Sequence, residues 1–434
     1  MNSFKPGSPR VMVLITIGVM AVLAGLIHPW VSVKFVPAAY MPKLQAILWL
    51  SSTLLLGVAA IAAWKGYTLD RLWREHAGFN AWAFLLLLGI ALCSNRLQAM
   101  DHKWLRILIY LILLFQLLKT YHLLVVKPKA KGWKMRIPTF LLPLFALFIL
   151  AEIGFLFVAQ SHGAYPESFA QINWYHKYWG EINELGYRDG PISRSEGKKQ
   201  VLVMGDSFTA GAGIKQREDR FTNLLEAHFA GEATFLNLGA PGSNTSQELR
   251  RLHESRLKPD LVILGYCPND VQDAARISGR ILDWKPPILK FPRILRPLIH
   301  YSHTFNYLFS RYGFGRQKVD YFTWLRGNFF RQDILAKHKS ELAKFVGAVA
   351  QDSIPIAAVI FPLMQEPQKS VLITKVIREI LQSKGVAVVD LGAELRAYPA
   401  DSLWVSPLDP HPNEMVNRKA AELLAKLIED FDLI

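Results

Sequence analysis

The sequence predicts an α-helical transmembrane domain of about five helices, followed by an α/β domain built on a parallel β-sheet. Three observations support this fold class. Five long apolar stretches lie before residue 160, strand-like and helix-like segments alternate after residue 198, and a Gly-Asp-Ser turn follows the first of those strands. We therefore divide the chain into a transmembrane domain at 1–160, a lead-in segment at 161–197 and an α/β domain at 198–434 with an insertion at about 271–333.

The apolar stretches are each close to the length of a membrane-spanning helix, since ~20 helical residues cross ~30 Å of hydrocarbon. They cover residues 11–30, 44–64, 79–95, 104–126 and 137–159. The third is the weakest, because Asn80 and Arg96 shorten it. A buried core helix would explain any single stretch, but five in succession with almost no acidic residues favour a membrane domain. The first lacks a small-x-small cleavage site before polar sequence, so we interpret it as a retained helix and not as a signal peptide.

Basic residues predict the orientation of this domain. With the N-terminus inside, the cytoplasmic segments hold 10 Lys and Arg residues and the opposite loops hold 4. Five crossings then place everything after about residue 160 on the outer face. We therefore expect a multi-pass protein of the bacterial inner (cytoplasmic) membrane, with its α/β domain in the periplasm or outside.

The net charge of +15 does not indicate a nucleic-acid-binding protein. Residues 1–159 contain 16 Lys and Arg against 4 Asp and Glu, so the exported part holds only 34 against 31. The excess lies mostly at predicted membrane edges, where it meets anionic lipid. No zinc-finger, RNA-recognition or helix-turn-helix signature is present. We expect the lipid bilayer as a partner and no nucleic acid.

The two cysteines predict neither a disulfide within the exported domain nor a metal site. Cys93 lies in an apolar stretch, and Cys267 is the single cysteine of the exported domain. No CxxC, HExxH or paired Cys/His spacing is present. We therefore predict no metal and no cofactor.

Strands and helices alternate through the exported domain. The predicted strands are 200–204, 233–238, 260–265, 354–361 and 385–391. The predicted helices are 217–229, 244–257, 335–351, 369–383 and 413–430. This alternation is typical of a parallel sheet with helices on both faces. The active sites of such sheets lie at the carboxyl ends of the strands.

Four short motifs occur in this domain in a set order. They are Gly205-Asp206-Ser207, Asn237-Leu-Gly-Ala-Pro-Gly242, Pro268-Asn269-Asp270 and Asp409-Pro-His411. Together they resemble the four blocks of the SGNH (GDSL-type) esterase and O-acyltransferase superfamily, which is named after a Ser, a Gly, an Asn and a His. The resemblance covers the domain after residue 198 and implies a flavodoxin-like three-layer α/β/α sandwich.

The first and last motifs supply a candidate nucleophile and its base. Ser207 stands on a tight turn after a strand, and a serine hydroxyl needs a base within hydrogen-bond reach. His411 precedes the last predicted helix, on a loop that can return to the strand edge carrying Ser207, and Asp409 would hold its second ring nitrogen. An α/β-hydrolase is disfavoured, because its G-x-S-x-G pattern would need Gly where this chain has Thr209.

Two alternatives remain open for the last motif. Asp409 could cap the helix that follows, and His411 could be an exposed loop residue. The commonest family form has its Asp three residues before the His, where this chain has Leu408. Some cell-envelope members resemble this chain in using the shorter spacing, so we choose Asp409.

Three N–H groups are candidates for an oxyanion hole. They are the backbone N–H of Ser207, the backbone N–H of Gly242 and the side-chain amide of Asn269. A glycine lets its amide approach the substrate without a Cβ in the way, and Gly239 is the alternative to Gly242. Asn269 could instead be a turn residue, and Cys267 stands where the family usually has Gly.

Two neighbouring polar groups are interpreted as structural. Asn244 and Gln247 have the spacing of a helix capping box. Asp206 is expected to shape the turn and not to act in catalysis.

The insertion at 271–333 is basic and aromatic. It carries 11 Lys and Arg, 4 Asp and Glu and 13 aromatic residues. It could be a lid over Ser207, a surface that faces the membrane or binds an anionic polymer, or a solvated excursion with its own aromatic core.

These features predict a membrane-anchored, outward-facing serine esterase or O-acyltransferase. Its substrate would be an acyl ester, in the first place acetyl, of cell-envelope polysaccharide, and the reaction would pass through an acyl-serine. A separate membrane protein for acyl transfer or polysaccharide assembly is an expected partner. Two alternatives are a phospholipid or lipoprotein esterase at the membrane surface and a non-catalytic scaffold of a polysaccharide assembly complex.

Overall fold

The computed structural model describes residues 77–94, 103–126, 133–160, 168–193, 196–280, 291–313, 318–407 and 409–434. The chain divides into two compact units. The first unit is Met1–Val158 with Phe291–Leu308, and the second is Ala159–Lys290 with Phe309–Ile434.

The helices and strands are numbered in chain order. The first are α1 (Ala77–Ser94), α2 (Lys103–Tyr121), α3 (Trp133–Phe155) and α4 (Phe169–Tyr178). Next come β1 (Lys199–Gly205), α5 (Phe221–His228), β2 (Ala233–Gly239), α6 (Thr245–Ser255), β3 (Leu261–Tyr266) and α7 (Val271–Ile277). They are followed by α8 (Arg296–Tyr301), α9 (His303–Leu308), α10 (Lys318–Phe329) and α11 (Gln332–Gln351). The last are β4 (Ile356–Ile360), α12 (Pro367–Gln382), β5 (Ala387–Asp390), α13 (Leu391–Leu395), β6 (Trp404–Ser406), β7 (Asp409–Pro412) and α14 (Glu414–Asp430).

The second unit contains the predicted parallel sheet, which is confirmed. Its order is β2-β1-β3-β4-β5, and every neighbouring pair runs parallel. Because β1 lies between β2 and β3, the carboxyl ends of these three strands are adjacent. Gly205 pairs in register with Gly239 on one side and with Gly265 on the other.

Side chains of the sheet alternate between two apolar cores. Leu202 and Met204 of β1 pack on one face with residues of α10, α11 and α12, whereas Val201 and Val203 pack on the other face with α5 and α14. The arrangement is the expected three-layer sandwich. Phe322 and Phe329, which belong to the basic and aromatic insertion, are part of the first of these cores.

The lead-in segment is part of the second unit. Buried Arg188 donates hydrogen bonds to the carbonyl oxygens of Gly211 at 2.5 Å and Ile214 at 2.9 Å, and to those of Tyr178 and Trp179 in the lead-in itself. Burial and the nearby charge of Arg220 lower the pKa of Arg188 to about 9. One guanidinium therefore ties the lead-in to the loop that follows Ser207.

The first unit contains the apolar helices. Within the described part of the chain, one helical span is long and apolar enough to cross a membrane. It is Arg106–Val126, which joins most of α2 to the π-helical turn His122–Val126, and it has 21 residues and a mean hydropathy of 1.8. The apolar part of α3, Thr139–Phe155, is shorter. The stretches predicted at 11–30 and 44–64 lie outside the described residues. A domain of five membrane helices therefore stays a prediction.

Candidate active site

Ser207 is held on a tight turn at the end of β1. A Cβ at Gly205 would lie 2.1 Å from Thr209 Oγ1 and 2.7 Å from the carbonyl oxygen of Gly265, so only glycine fits there. The turn is closed by Asp206, whose carboxylate accepts the N–H of Phe208 at 2.8 Å. This geometry presents the Ser207 hydroxyl at the carboxyl edge of the sheet.

His411 and Asp409 meet Ser207 in the order that nucleophilic catalysis requires. His411 Nε2 lies 2.9 Å from Ser207 Oγ, and His411 Nδ1 forms a short hydrogen bond with Asp409 Oδ1. Because a carboxylate only accepts, Nδ1 carries the ring proton and Nε2 is the nitrogen that accepts the proton of Ser207. The structure thus brings together the three residues that the sequence proposed.

Asp409 and His411 both lie on β7, which forms a hairpin with β6. Asp409 is fully buried, pairs with Ser406 across the hairpin and donates its N–H to the Ser406 hydroxyl at 3.1 Å. The cap of α14 is Asn413, whose side chain accepts the N–H of Val416. The alternative that Asp409 caps this helix is therefore wrong.

The geometry separates the two candidate oxyanion glycines. The N–H of Gly239 already donates to Asn237 Oδ1 at 2.9 Å, and a Cβ there would lie 2.4 Å from the backbone nitrogen of Ala210. Gly242 has a φ of +77° and open space around its Cβ position. Among the described residues, nothing accepts the N–H of Gly242 or of Ser207. Gly239 therefore serves close packing, and the geometry favours Gly242 as donor.

Asn269 stands in a short 3₁₀ turn just after β3, the strand that pairs with β1 and so with the strand that leads to Ser207. Its Nδ2 donates to Asp206 Oδ2 at 2.9 Å. Because an amide nitrogen carries two hydrogens, one remains for a substrate oxygen. Asp206 thus positions Asn269, a role that the sequence analysis missed. The sequence signal for this role was the position of Asp206 between Gly205 and Ser207.

Buried carboxyl groups cluster on the Asn269 side of the site. Burial raises the pKa of Asp206, although hydrogen bonds from Asn269 and Phe208 oppose the shift. Burial and the charge of Asp206 raise the pKa of Glu248 to about 8. Burial and the charge of Glu248 raise the pKa of Asp270 well above its usual value. The protonated form of Glu248 is therefore favoured near pH 7, because burial disfavours its ionised form.

Two further observations concern the helix cap at Asn244 and the side chains that could bind a metal ion. Asn244 and Gln247 form the predicted capping box at the start of α6. In the described part of the chain, no group of three or more His, Cys, Asp or Glu side chains is arranged to hold a metal ion.

Comparison with known proteins identifies a family for the part of the chain that contains this site. The sequence profile of the GDSL-like lipase/acylhydrolase family matches residues 203–419, which contain all five candidate site residues. No curated protein matches the chain.

Solved structures of other hydrolases cover about half of the chain. A lipase/acylhydrolase from Enterococcus faecalis is 17% identical, covers 54% of this chain and 96% of its own, and has a TM-score of 0.34. A carbohydrate acetylesterase family member from Sinorhizobium meliloti is 15% identical, with coverages of 53% and 97% and a TM-score of 0.31. A psychrotrophic esterase from Pseudoalteromonas sp. is 16% identical, with coverages of 54% and 98% and a TM-score of 0.31.

Proposed function

Since the chain belongs to the GDSL-like lipase/acylhydrolase family, we propose that it is a membrane-anchored serine esterase or O-acyltransferase. Family membership makes it an enzyme of ester bonds. The observation that carries the catalytic proposal is the 2.9 Å contact between His411 Nε2 and Ser207 Oγ, with Asp409 behind the imidazole.

The first half of the proposed reaction acylates Ser207. Its Oγ attacks the ester carbonyl carbon while His411 Nε2 takes the hydroxyl proton. The resulting imidazolium is stabilised by Asp409. The carbon–oxygen bond to the alcohol then breaks, and His411 gives the proton to the leaving alcohol. The acyl group remains on Ser207.

The second half transfers the acyl group to an acceptor. His411 takes a proton from a water or a sugar hydroxyl, the acceptor oxygen attacks the acyl carbon, and the bond to Ser207 Oγ breaks as His411 returns the proton. Water gives a free acid, and a sugar hydroxyl gives a new ester. In both halves, the N–H groups of Ser207, Gly242 and Asn269 would meet the developing oxyanion.

The membrane anchor and the outward orientation are supported by the first unit. Helix Arg106–Val126 is long and apolar enough to span a bilayer. Large apolar side chains are exposed along α2 and α3, including Leu118, Phe140 and Leu147. The distribution of Lys and Arg favours an α/β domain on the outer face. That location motivates acyl esters of cell-envelope polysaccharide as the substrate class, with a separate membrane protein as acyl donor in the transferase case.

A phospholipid or lipoprotein esterase is the second candidate. It is favoured by the grouping of Phe291–Leu308, part of the basic and aromatic insertion, with the apolar helices.

Incubation of the purified full chain with p-nitrophenyl acetate tests the catalytic proposal. Mass spectrometry should find an acetyl group on the peptide that contains Ser207, and Ser207→Ala should carry none. Acetylated glycan and short-chain phospholipid, compared as substrates at equal ester concentration, separate the two candidates. An acetyl group found only on other residues would overturn Ser207 as nucleophile.

A further inference from the structure

Glu152 is a fully buried carboxylate in the apolar helix α3. Its oxygens accept hydrogen bonds from the Tyr110 hydroxyl at 3.1 Å, the Ser302 hydroxyl at 2.5 Å, the backbone N–H of His303 at 3.0 Å and the backbone N–H of Thr304 at 2.9 Å. A charged group in an apolar layer is costly unless it is paired or hydrogen-bonded. Three of these donors belong to residues 302–304, about 150 residues further along the chain.

Aromatic contacts extend this attachment along α3. The rings of Phe148 and Phe305 lie 5.8 Å apart, and those of Phe155 and Tyr307 lie 4.8 Å apart. Phe291–Leu308 belongs to the same compact unit as the apolar helices. This stretch therefore packs as a part of the first unit, against α3.

The outer surface of the stretch is apolar. Ile294 is 84% exposed, and Phe291, Leu295, Phe305 and Leu308 are exposed as well. The helices of the same unit also expose large apolar side chains, such as Leu118 of α2 at 57%. Exposed apolar surfaces of this kind mark protein or membrane contacts. Arg293, next to Ile294, is exposed and suits an anionic headgroup.

We propose that Phe291–Leu308 is a lipid-facing element that Glu152 anchors to α3 and whose exposed apolar surface contacts the bilayer. The proposal rests on the membrane anchor proposed above and extends it to a segment from the middle of the chain. It replaces a lid or a solvated excursion as the interpretation of this part of the insertion.

Collision measurements on spin labels in phospholipid vesicles test the proposal. The full chain is reconstituted in phosphatidylcholine with phosphatidylglycerol and labelled at Ile294→Cys, Leu118→Cys or Leu372→Cys, and the unsubstituted chain gives the background from native cysteines. Leu372 is the matched control, because it is 65% exposed on α12 of the sheet unit. We expect labels at 294 and 118 to collide mainly with oxygen, and the label at 372 mainly with a water-soluble nickel complex.

The three labels distinguish the possible failures. If 118 reports lipid but 294 behaves like 372, the lipid-facing element is wrong and the membrane anchor stands. If all three report water, the membrane anchor fails and the present proposal fails with it. Cleavage of p-nitrophenyl acetate by each labelled protein shows separately that the sheet unit is folded and active.

Substitution of Glu152 tests the anchor. Glu152→Gln replaces one acceptor oxygen with a donor that faces other donors, so the label at 294 should shift toward collisions with nickel. Ser302→Ala removes one of these bonds and should give a smaller shift in the same direction. An unchanged collision ratio in both variants would show that Glu152 does not anchor the element.

Discussion

The buried carboxyl groups on the two sides of Ser207 lie in different electrostatic environments. On the base side, the Asp409 carboxylate is hydrogen-bonded to the ring of His411. On the oxyanion side, burial raises the pKa values of Asp206, Glu248 and Asp270. Burial thus disfavours the ionised form of the carboxyl groups on the oxyanion side, whereas a carboxylate accepts from the imidazole on the base side.

The largest effect should come from the nucleophile and the base themselves. Ser207→Ala and His411→Ala should each lower kcat for p-nitrophenyl acetate by roughly 10⁶, the loss seen when either member of a serine triad is removed. The double variant should be hardly slower than either single one, because the two residues act as a unit. Retention of about a tenth of the activity by Ser207→Ala would contradict the assignment.

The next effect tests the base side of the comparison. Asp409→Asn keeps the shape but presents an amide to His411 Nδ1, which disfavours the productive tautomer and should lower kcat by about 10⁴. Asp401→Asn, an exposed change just before the same hairpin, is the matched control and should leave kcat unchanged. Equal rates for both variants would remove Asp409 from the mechanism.

The oxyanion side should respond more mildly. Asn269→Ala removes one donor and should lower kcat by roughly 10²–10³. KM should change little, because the donor binds the transition state more strongly than the ground state. Asp270→Asn is the control next door and should cost much less, since Asp270 accepts from Thr245 and does not face the substrate in this proposal. Small and equal effects would mean that Pro268-Asn269-Asp270 is only a turn.

The features predicted best from the sequence are those carried by short segments. The apolar run before Gly205 predicts β1, and the motif that follows predicts the turn that presents Ser207. The pairing of Asp409 with His411 depends on a spacing of two residues and was equally accessible. Helix α5 begins at Phe221 and not at 217, because Arg217–Asp219 forms a 3₁₀ turn and buried Arg220 bonds to Asp189.

Contacts between residues that are far apart in the chain could not be predicted from the sequence in the same way. Asp206 and Asn269 are 63 residues apart, and Glu152 and Ser302 are 150 apart. A single polar side chain leaves no periodic pattern, so its partner emerges only when the elements pack. The split of the insertion between two compact units has the same cause, since its basic and aromatic composition is compatible with either a lipid or a protein environment.

The smallest effect concerns stability and tests the neutral carboxyl groups. The pKa of Glu248 is about 8 in the folded protein, against about 4.3 in an unfolded chain. As pH rises through this window, the unfolded state loses its proton while the folded state keeps it. Ionisation therefore favours unfolding, and stability falls between about pH 4.5 and 8 by an amount on the order of a few kcal/mol.

Glu248→Gln cannot ionise, so its midpoint of thermal unfolding should fall less over this range than that of the unsubstituted chain. Glu254→Gln, an exposed change on the same helix, should retain the full fall. If the Glu248→Gln and Glu254→Gln variants lost stability in parallel, Glu248 would be ionised in the folded state, and the contrast between the two sides of Ser207 would rest on Asp206 and Asp270 alone.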